Sequence, residues 1–384
     1  MLAGMMLDGV RSSLDLLRVD HTGGFRKPDR LRDVYAKFAE GKATDEEVRR
    51  IQDDSVRALI AREEEHQLPV LSDGEYRRRQ FQESFGEAVS GFNSLPGAVY
   101  IGGPSESAPT RRVESGPSGR GPAVLHRLPT VSRLQLERNV PLEEYLLAAP
   151  LTQRPLKVTL VGPDRVSQRF EWENSAEIYA GLDDFVQDVV RLQRQMVSEL
   201  VEAGCPYIQL DEPGYTAYVD NSLLEKMRAR GQDPARNLAR SIAADNAVLQ
   251  DFLTSAGVTF GIHICRGGGA SGYHRDGRYE AIAEQLFSQL RCQRLLLEYD
   301  TAQSGGFEPL RFVPKGTVAV LGLISTRIAE VESTDDLQRR IEEASHYLPL
   351  EQLALGPRCG LGLPEESIWR KVDVMLETAA RVWG

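Results

Sequence analysis

The stretch Gly261-Ile262-His263-Ile264-Cys265-Arg266-Gly267-Gly268-Gly269 decides how the rest of the chain is read. It closes the short apolar run Val258-Thr259-Phe260-Gly261-Ile262, whose alternation and β-branched residues are those of a strand. Residues two apart on a strand point to one face, so His263 and Cys265 present an imidazole and a thiol side by side where the strand opens into a glycine turn. Both groups are good zinc ligands. A buried histidine beside a small apolar cysteine explains such a pair on its own, so the reading turns on where further ligands lie.

Outward from this strand, similar segments recur. Downstream are Leu295-Leu296-Leu297-Glu298-Tyr299-Asp300, Thr317-Val318-Ala319-Val320-Leu321-Gly322-Leu323 and Leu353-Ala354-Leu355-Gly356-Pro357-Arg358-Cys359-Gly360. Upstream are Tyr207-Ile208-Gln209-Leu210-Asp211-Glu212-Pro213, Leu156-Lys157-Val158-Thr159-Leu160-Val161, Leu68-Pro69-Val70-Leu71-Ser72-Asp73-Gly74-Glu75 and Leu16-Leu17-Arg18-Val19-Asp20-His21-Thr22-Gly23-Gly24. Helical patterns separate most of them, and one opens with the capping box Thr44-Asp45-Glu46-Glu47. Eight apolar strands alternating with helices predict an α/β fold with a parallel sheet, a (β/α)8 TIM barrel whose polar strand ends share the active-site rim. A doubly wound open sheet requires a phosphate-binding glycine motif after the first strand, which His21-Thr22-Gly23-Gly24 does not supply.

The chain reads as a single barrel domain over residues 1–384, interrupted by an insertion over 91–149 rich in Gly, Ser, Pro and Arg. The insertion is expected to hold a hairpin or two and to act as a lid or as a homo-oligomer contact. With 384 residues, 41% hydrophobic and 27% charged, the composition is that of a soluble globular protein. No run approaches the length of a membrane span, and the N-terminus lacks the features of a signal peptide. The net charge of −10 argues against a nucleic-acid partner. Four widely spaced cysteines are no disulfide framework and fit a reducing, cytoplasmic compartment.

On a barrel rim, His263 and Cys265, then Glu298, then Cys359 arise from strand ends: one imidazole, two thiols and a carboxylate, the four-ligand count of zinc. Cys205 and Cys292 lie at other positions and are read as packing residues.

With these motifs in place the chain resembles the catalytic domain of the cobalamin-independent methionine synthase family, a zinc barrel of the decarboxylase/methionine-synthase type. The resemblance is carried by Asp20-His21-Thr22-Gly23-Gly24, Ser72-Asp73-Gly74-Glu75, Gln209-Leu210-Asp211-Glu212-Pro213, His263-Ile264-Cys265, Leu297-Glu298-Tyr299-Asp300 and Pro357-Arg358-Cys359-Gly360-Leu361. It implies zinc held by His263, Cys265, Glu298 and Cys359, and Glu75 and Asp211 holding the amino-acid part of a homocysteine-like thiol. It further implies transfer of a methyl or related alkyl group from a small-molecule donor to that thiol.

Gly24 stands where the family has a substrate-holding serine. Gly322-Leu323-Ile324-Ser325-Thr326-Arg327 lacks the histidine associated with the folate methyl donor. A relative opening another electrophile, such as an epoxide, and a non-catalytic zinc- or thiol-binding barrel are therefore the alternatives. His21 is a candidate acid–base group and Tyr215 a candidate pocket residue. Arg77, Arg78 and Arg79 are read either as an anion site or as an ion-paired turn.

Overall fold

The computed structural model describes residues 17–78, 83–92, 130–168, 175–266 and 275–384. The Gly267–Gly269 turn, Arg79 and the centre of the 91–149 segment lie outside the described residues.

Two strands, β1 (Val89–Phe92) and β2 (Thr130–Leu136), pair antiparallel and stand apart from the main sheet. The main sheet runs β3 (Lys157–Val161), β4 (Tyr207–Asp211), β5 (Thr259–Ile264), β6 (Arg294–Glu298), β7 (Val318–Ile324) and β8 (Leu353–Pro357), all parallel and in chain order. Every residue of these six strands is buried, as a parallel sheet covered on both faces requires. Two earlier extended segments complete the ring: Leu71 bridges Leu156, and Val19 bridges Leu355, both in parallel. The result is the expected (β/α)8 barrel. Its first two strands are single bridges, and their shared seam is held by other contacts. Ser72 Oγ donates to the Gly23 carbonyl at 2.7 Å and the Phe25 N–H donates to the Gly74 carbonyl at 3.2 Å.

Strand alternation sorts the barrel into two environments. Val158, Leu160, Ile208, Leu210, Phe260, Ile262 and Ile264 join the large core between strands and helices. The opposite faces carry Lys157 and Thr159, Tyr207, Gln209 and Asp211, and Gly261 and His263 into the barrel. Glycine is needed at 261 because a Cβ there would stand 2.8 Å from the Tyr207 hydroxyl. Two small apolar clusters, Leu17 with Val70 and Tyr207, and Leu296 with Val318, Val320 and Ala354, are separate from the outer core.

Between them lies a closed set of charges. Asp20 receives Lys157 Nζ at 2.5 Å through one oxygen, and Arg294 Nε and Tyr207 Oη, each at 2.8 Å, through the other. Lys157 also donates to the His21 carbonyl and, at 2.9 Å, to Gln209 Oε1.

The helices follow their local signals. Thr44 caps Asp45–Glu65 by accepting from the Glu47 N–H at 3.1 Å. Asn139 caps Val140–Ala148 by accepting from the Leu142 N–H at 3.2 Å, with Pro141 in the first turn. This last helix, inside the segment read as an insertion, packs on β3 as one of the barrel's own connecting helices.

Candidate metal centre

β5 delivers His263 and, one residue past its end, Cys265; the turn after β8 delivers Cys359. One ligand atom from each lies within 4.8 Å of the others. The two sulfurs are 3.8 Å apart and neither is in a disulfide. That separation fits a shared ion, since two Zn–S bonds of about 2.3 Å at a tetrahedral angle place the sulfurs about 3.8 Å apart.

The electrostatics agree with this donor set. Cys359 is held well above the usual thiol range, first by its sulfur neighbour Cys265 and then by burial. Two thiols facing each other in a buried site resist joint ionisation, and a cation between them removes that resistance.

His263 is oriented from behind. Its Nδ1 meets Asp211 Oδ1 at 3.0 Å, and the same oxygen accepts from Gln209 Nε2 at 2.8 Å. Burial alone would lower the imidazole pKa, but the Asp211 carboxylate outweighs it and the pKa is raised. A proton on Nδ1 shared with Asp211 would leave Nε2 available to a metal, as in carboxylate–histidine–metal arrangements.

Glu298 stands outside the trio that the sequence reading placed it in. It is fully buried at the end of β6, and both oxygens are engaged. Oε2 accepts from the Arg266 N–H at 2.9 Å, while Oε1 faces Arg358 Nη1 at 3.3 Å and Arg327 Nη2 at 3.7 Å. Its pKa is raised by burial, against the pull of Arg358.

On the other side of the rim, Glu75 has left-handed backbone, with φ of 59°, an uncommon conformation for a non-glycine residue. Its Oε1 accepts from Thr159 Oγ1 at 2.8 Å. Burial raises its pKa, and the charge of Asp211 adds to the rise while Arg78 opposes it. Two mutually repelling carboxylates make a place for an ammonium group. Gly24 adjoins this site, where a Cβ would lie 3.3 Å from Glu75 Oε2 and 3.8 Å from the Gly360 Cα.

The remaining candidates take other positions. His21 Nε2 meets the Val70 carbonyl at 3.0 Å and its Nδ1 accepts from the Gly23 N–H at 3.1 Å. Burial and the Lys157 charge push its pKa down to about 4, against Asp20. It is a neutral ring tying strand to strand, with neither nitrogen left to exchange a proton with substrate. Tyr215 is buried after β4 and donates its hydroxyl to Asp245 on the outer helix Pro234–Leu249. Its neighbour Thr216 instead reaches the centre, donating to the Cys265 carbonyl at 3.0 Å. Arg78 is neither an exposed turn nor an anion site: it forks onto Glu144 at 2.6–3.0 Å and reaches Thr159. Arg77 pairs with Asp53 at 3.5 Å.

The sequence reading missed Gln209, Thr159, Arg78 and Arg358 as supports. For Thr159 and Gln209 the available signal was a polar residue at every second position of otherwise apolar strands; Arg78 and Arg358 lie outside the strands and had no such signal.

A closed parallel barrel that gathers an imidazole and two thiols at its C-terminal strand ends is of the class of barrel enzymes built around a rim site. The particular kinship comes from sequence. The model of the cobalamin-independent synthase catalytic domain matches residues 125–381, and the chain belongs to that family, one of thiol methyl transfer. The chain is 31% identical to the uncharacterized protein YxjG of Bacillus subtilis strain 168, over 95% of this chain and 94% of that one. It is 25% identical to a methionine synthase of Pyrococcus abyssi, over 96% of this chain and 93% of that one. The B12-independent methionine synthase from Shewanella sp. W3-18-1 has a TM-score of 0.71 at 18% identity, covering 96% of this chain and 98% of that one. At that identity the likeness speaks for the fold. Among the described residues no helix is long and apolar enough to cross a membrane.

Proposed function

We propose that the protein transfers a methyl or related alkyl group to the sulfur of a homocysteine-like thiol, with zinc held by His263, Cys265 and Cys359. The carrying observation is the pair of sulfurs 3.8 Å apart beside an Asp211-oriented imidazole. The trio would hold zinc, which would stabilise a substrate thiolate at neutral pH, where a free thiol with a pKa of about 8.5 is mostly protonated.

The protein's own groups do the rest. Asp211 fixes the ring of His263 and, with Glu75, faces the ammonium group of the thiol substrate. Thr159 and Arg78 hold Glu75 in place. The substrate sulfur forms a bond to the alkyl carbon, the carbon–donor bond breaks, and the donor leaves with that electron pair. β7 runs into Ser325-Thr326-Arg327 without a histidine, and Arg327 turns to Glu298. That favours keeping electrophiles other than a methyl-folate, epoxides included, among the donors to be screened.

Metal analysis of the purified chain tests the reading. About one zinc per chain is expected from this trio, lost in His263→Ala and Cys359→Ser, and homocysteine should perturb the visible spectrum of the cobalt form. Wild-type protein prepared without chelators and lacking zinc would sink the proposal. Tight metal and thiol binding with no turnover on any donor would leave a non-catalytic binding barrel.

A further inference from the structure

We propose that Arg165 and Arg275 form a site for an oxyanion, a carboxylate, sulfonate or phosphate carried by one of the two substrates of the transfer. That the anion belongs to a substrate rests on the function proposed above; the site itself does not. Arg165 follows β3 in the short helix Pro163–Ser167, and Arg275 lies in the connection after β5, so both belong to segments leaving the C-terminal strand ends. Their guanidiniums converge on one neutral atom. Gln168 Oε1 accepts from Arg275 Nη2 at 3.1 Å and from Arg165 Nη1 at 3.4 Å. Arg165 Nε is buried and has no hydrogen-bond partner. Among the described residues neither guanidinium forms an ion pair. The nearby carboxylates are turned elsewhere. Glu212 accepts from the backbone N–H groups of Asp164 and Arg165 at 2.7 and 3.1 Å. Asp164 accepts from Gln168 Nε2 at 2.9 Å, from Tyr218 Oη at 3.2 Å and from Ser241.

Two guanidiniums on one amide oxygen leave positive charge unanswered. Burial, and after it the charge of Arg275, push the Arg165 pKa down to about 10. Burial lowers that of Arg275 as well, against Asp164. An oxyanion relieves both at once, and the guanidinium fork matches its oxygens. Both side chains keep part of their surface exposed, so an ion can reach them. Placement ties the pair to the metal centre. Arg275 Nη1 donates to Thr216 Oγ1 at 3.2 Å, and Thr216 donates to the Cys265 carbonyl at 3.0 Å. The site is thus two hydrogen bonds from the backbone of Cys265. Glu75 and Asp211 repel one another where an ammonium group fits; Arg165 and Arg275 do the same where an oxyanion fits.

The test starts on the whole chain without metal, with inorganic sulfate as the probe, titrated by calorimetry at low ionic strength. Wild type should bind sulfate, and Arg165→Gln and Arg275→Gln should each lower the affinity about tenfold. Arg165→Lys keeps the charge but loses the fork, and should fall between wild type and Arg165→Gln. If Arg275→Gln fails to fold because Arg275 also holds the Pro213 carbonyl, the Arg165 variants carry the test, since that guanidinium meets only Gln168. Wild type that takes up no sulfate, or glutamine variants that bind it as well as wild type, would overturn the inference.

Competition then assigns the anion. Homocysteine is followed by the sulfur-to-cobalt charge-transfer band of the cobalt form. If the pair holds the carboxylate of homocysteine, sulfate displaces homocysteine but leaves aminopropanethiol, the same molecule without its carboxylate, in place. If sulfate and homocysteine bind together, the oxyanion is the donor's. Homocysteine that raises no such band overturns the metal reading alone, because the affinity for sulfate and its loss in the arginine variants are measured without metal.

Discussion

Two layers of buried polar groups sit at different depths of this barrel, and they are built on opposite plans. In the lower one, Asp20 is met by Lys157, Arg294 and Tyr207, opposite charge against opposite charge. Burial works to raise the Asp20 pKa, yet Lys157 and Arg294 hold it at about 2. Burial likewise takes Lys157 down only to about 8 against the pull of Asp20. In the upper layer like faces like: thiol against thiol at 265 and 359, carboxylate near carboxylate at 75 and 211. The lower layer is complete without a ligand, whereas the upper one would be relieved by the proposed cations, a metal between the sulfurs and an ammonium between the carboxylates. Gln209 joins them, receiving Lys157 on its oxygen and donating to Asp211 through its nitrogen at 2.8 Å. The foundation of the barrel thus reaches His263 through three hydrogen bonds in series, from Lys157 to Gln209, Asp211 and the ring.

The largest effect should come from breaking the lower layer. Asp20→Asn leaves two buried cations facing each other without a counter-charge and should cost about 3–5 kcal/mol of stability. Equilibrium unfolding in urea measures it, alongside metal-free Cys359→Ala, which should change stability by about 1 kcal/mol or less because it removes a single thiol contact. Equal costs would erase the distinction between a structural and a functional layer.

Acidification tests the ring that borders both layers. His21 has its pKa pushed down to about 4 from an ordinary 6.5. Between those values the unfolded chain takes up a proton that the folded chain refuses, so stability falls as the pH drops through that window. The contribution is about 3 kcal/mol over the full window. It should be missing from the pH dependence of His21→Asn. An imidazole that titrates by NMR near 6.5 in the folded protein would return His21 to the acid–base candidates.

A third measurement turns on the upper layer. Zinc at a hundred times its dissociation constant should stabilise wild type by about 2.7 kcal/mol and leave Cys359→Ser unmoved, read as the rise in denaturation midpoint. A lasting rise in Cys359→Ser would place the ion elsewhere.

The upper layer was the legible one. His263, Cys265, Glu298 and Cys359 each lie at or just past the end of an apolar strand, and a polar residue at a strand end announces itself in one dimension. That Glu298 would be taken by Arg358 and the Arg266 N–H could not be read, because its partners adjoin the other ligands in sequence and reach it only once the rim closes. The lower layer was hidden for a similar reason. Lys157 lies between Leu156 and Val158 and meets Asp20 across 137 residues, so nothing in its own strand named its partner. The helix Val140–Ala148 was merged into the insertion although its signals were present, a capping asparagine followed by a first-turn proline.

The smallest effect belongs to Gly24, the point where the two carboxylate supports of the rim can be compared directly. Glu75 accepts from Thr159 through Oε1, and the other oxygen, Oε2, lies 3.3 Å from where a Cβ on residue 24 would be. Gly24→Ser meets the end of a flexible side chain rather than backbone, and residue 24 has no left-handed φ to penalise it. The added hydroxyl can donate to Oε2, which favours the ionised carboxylate that the neighbouring Asp211 opposes. Stability should change by about 0.5 kcal/mol or less, while a thiol carrying an ammonium group should bind a few-fold more tightly than to wild type. A matched thiol without the amine should show no gain. Equal gains for both thiols would mean that residue 24 acts through packing, and that Glu75 does not hold the amine.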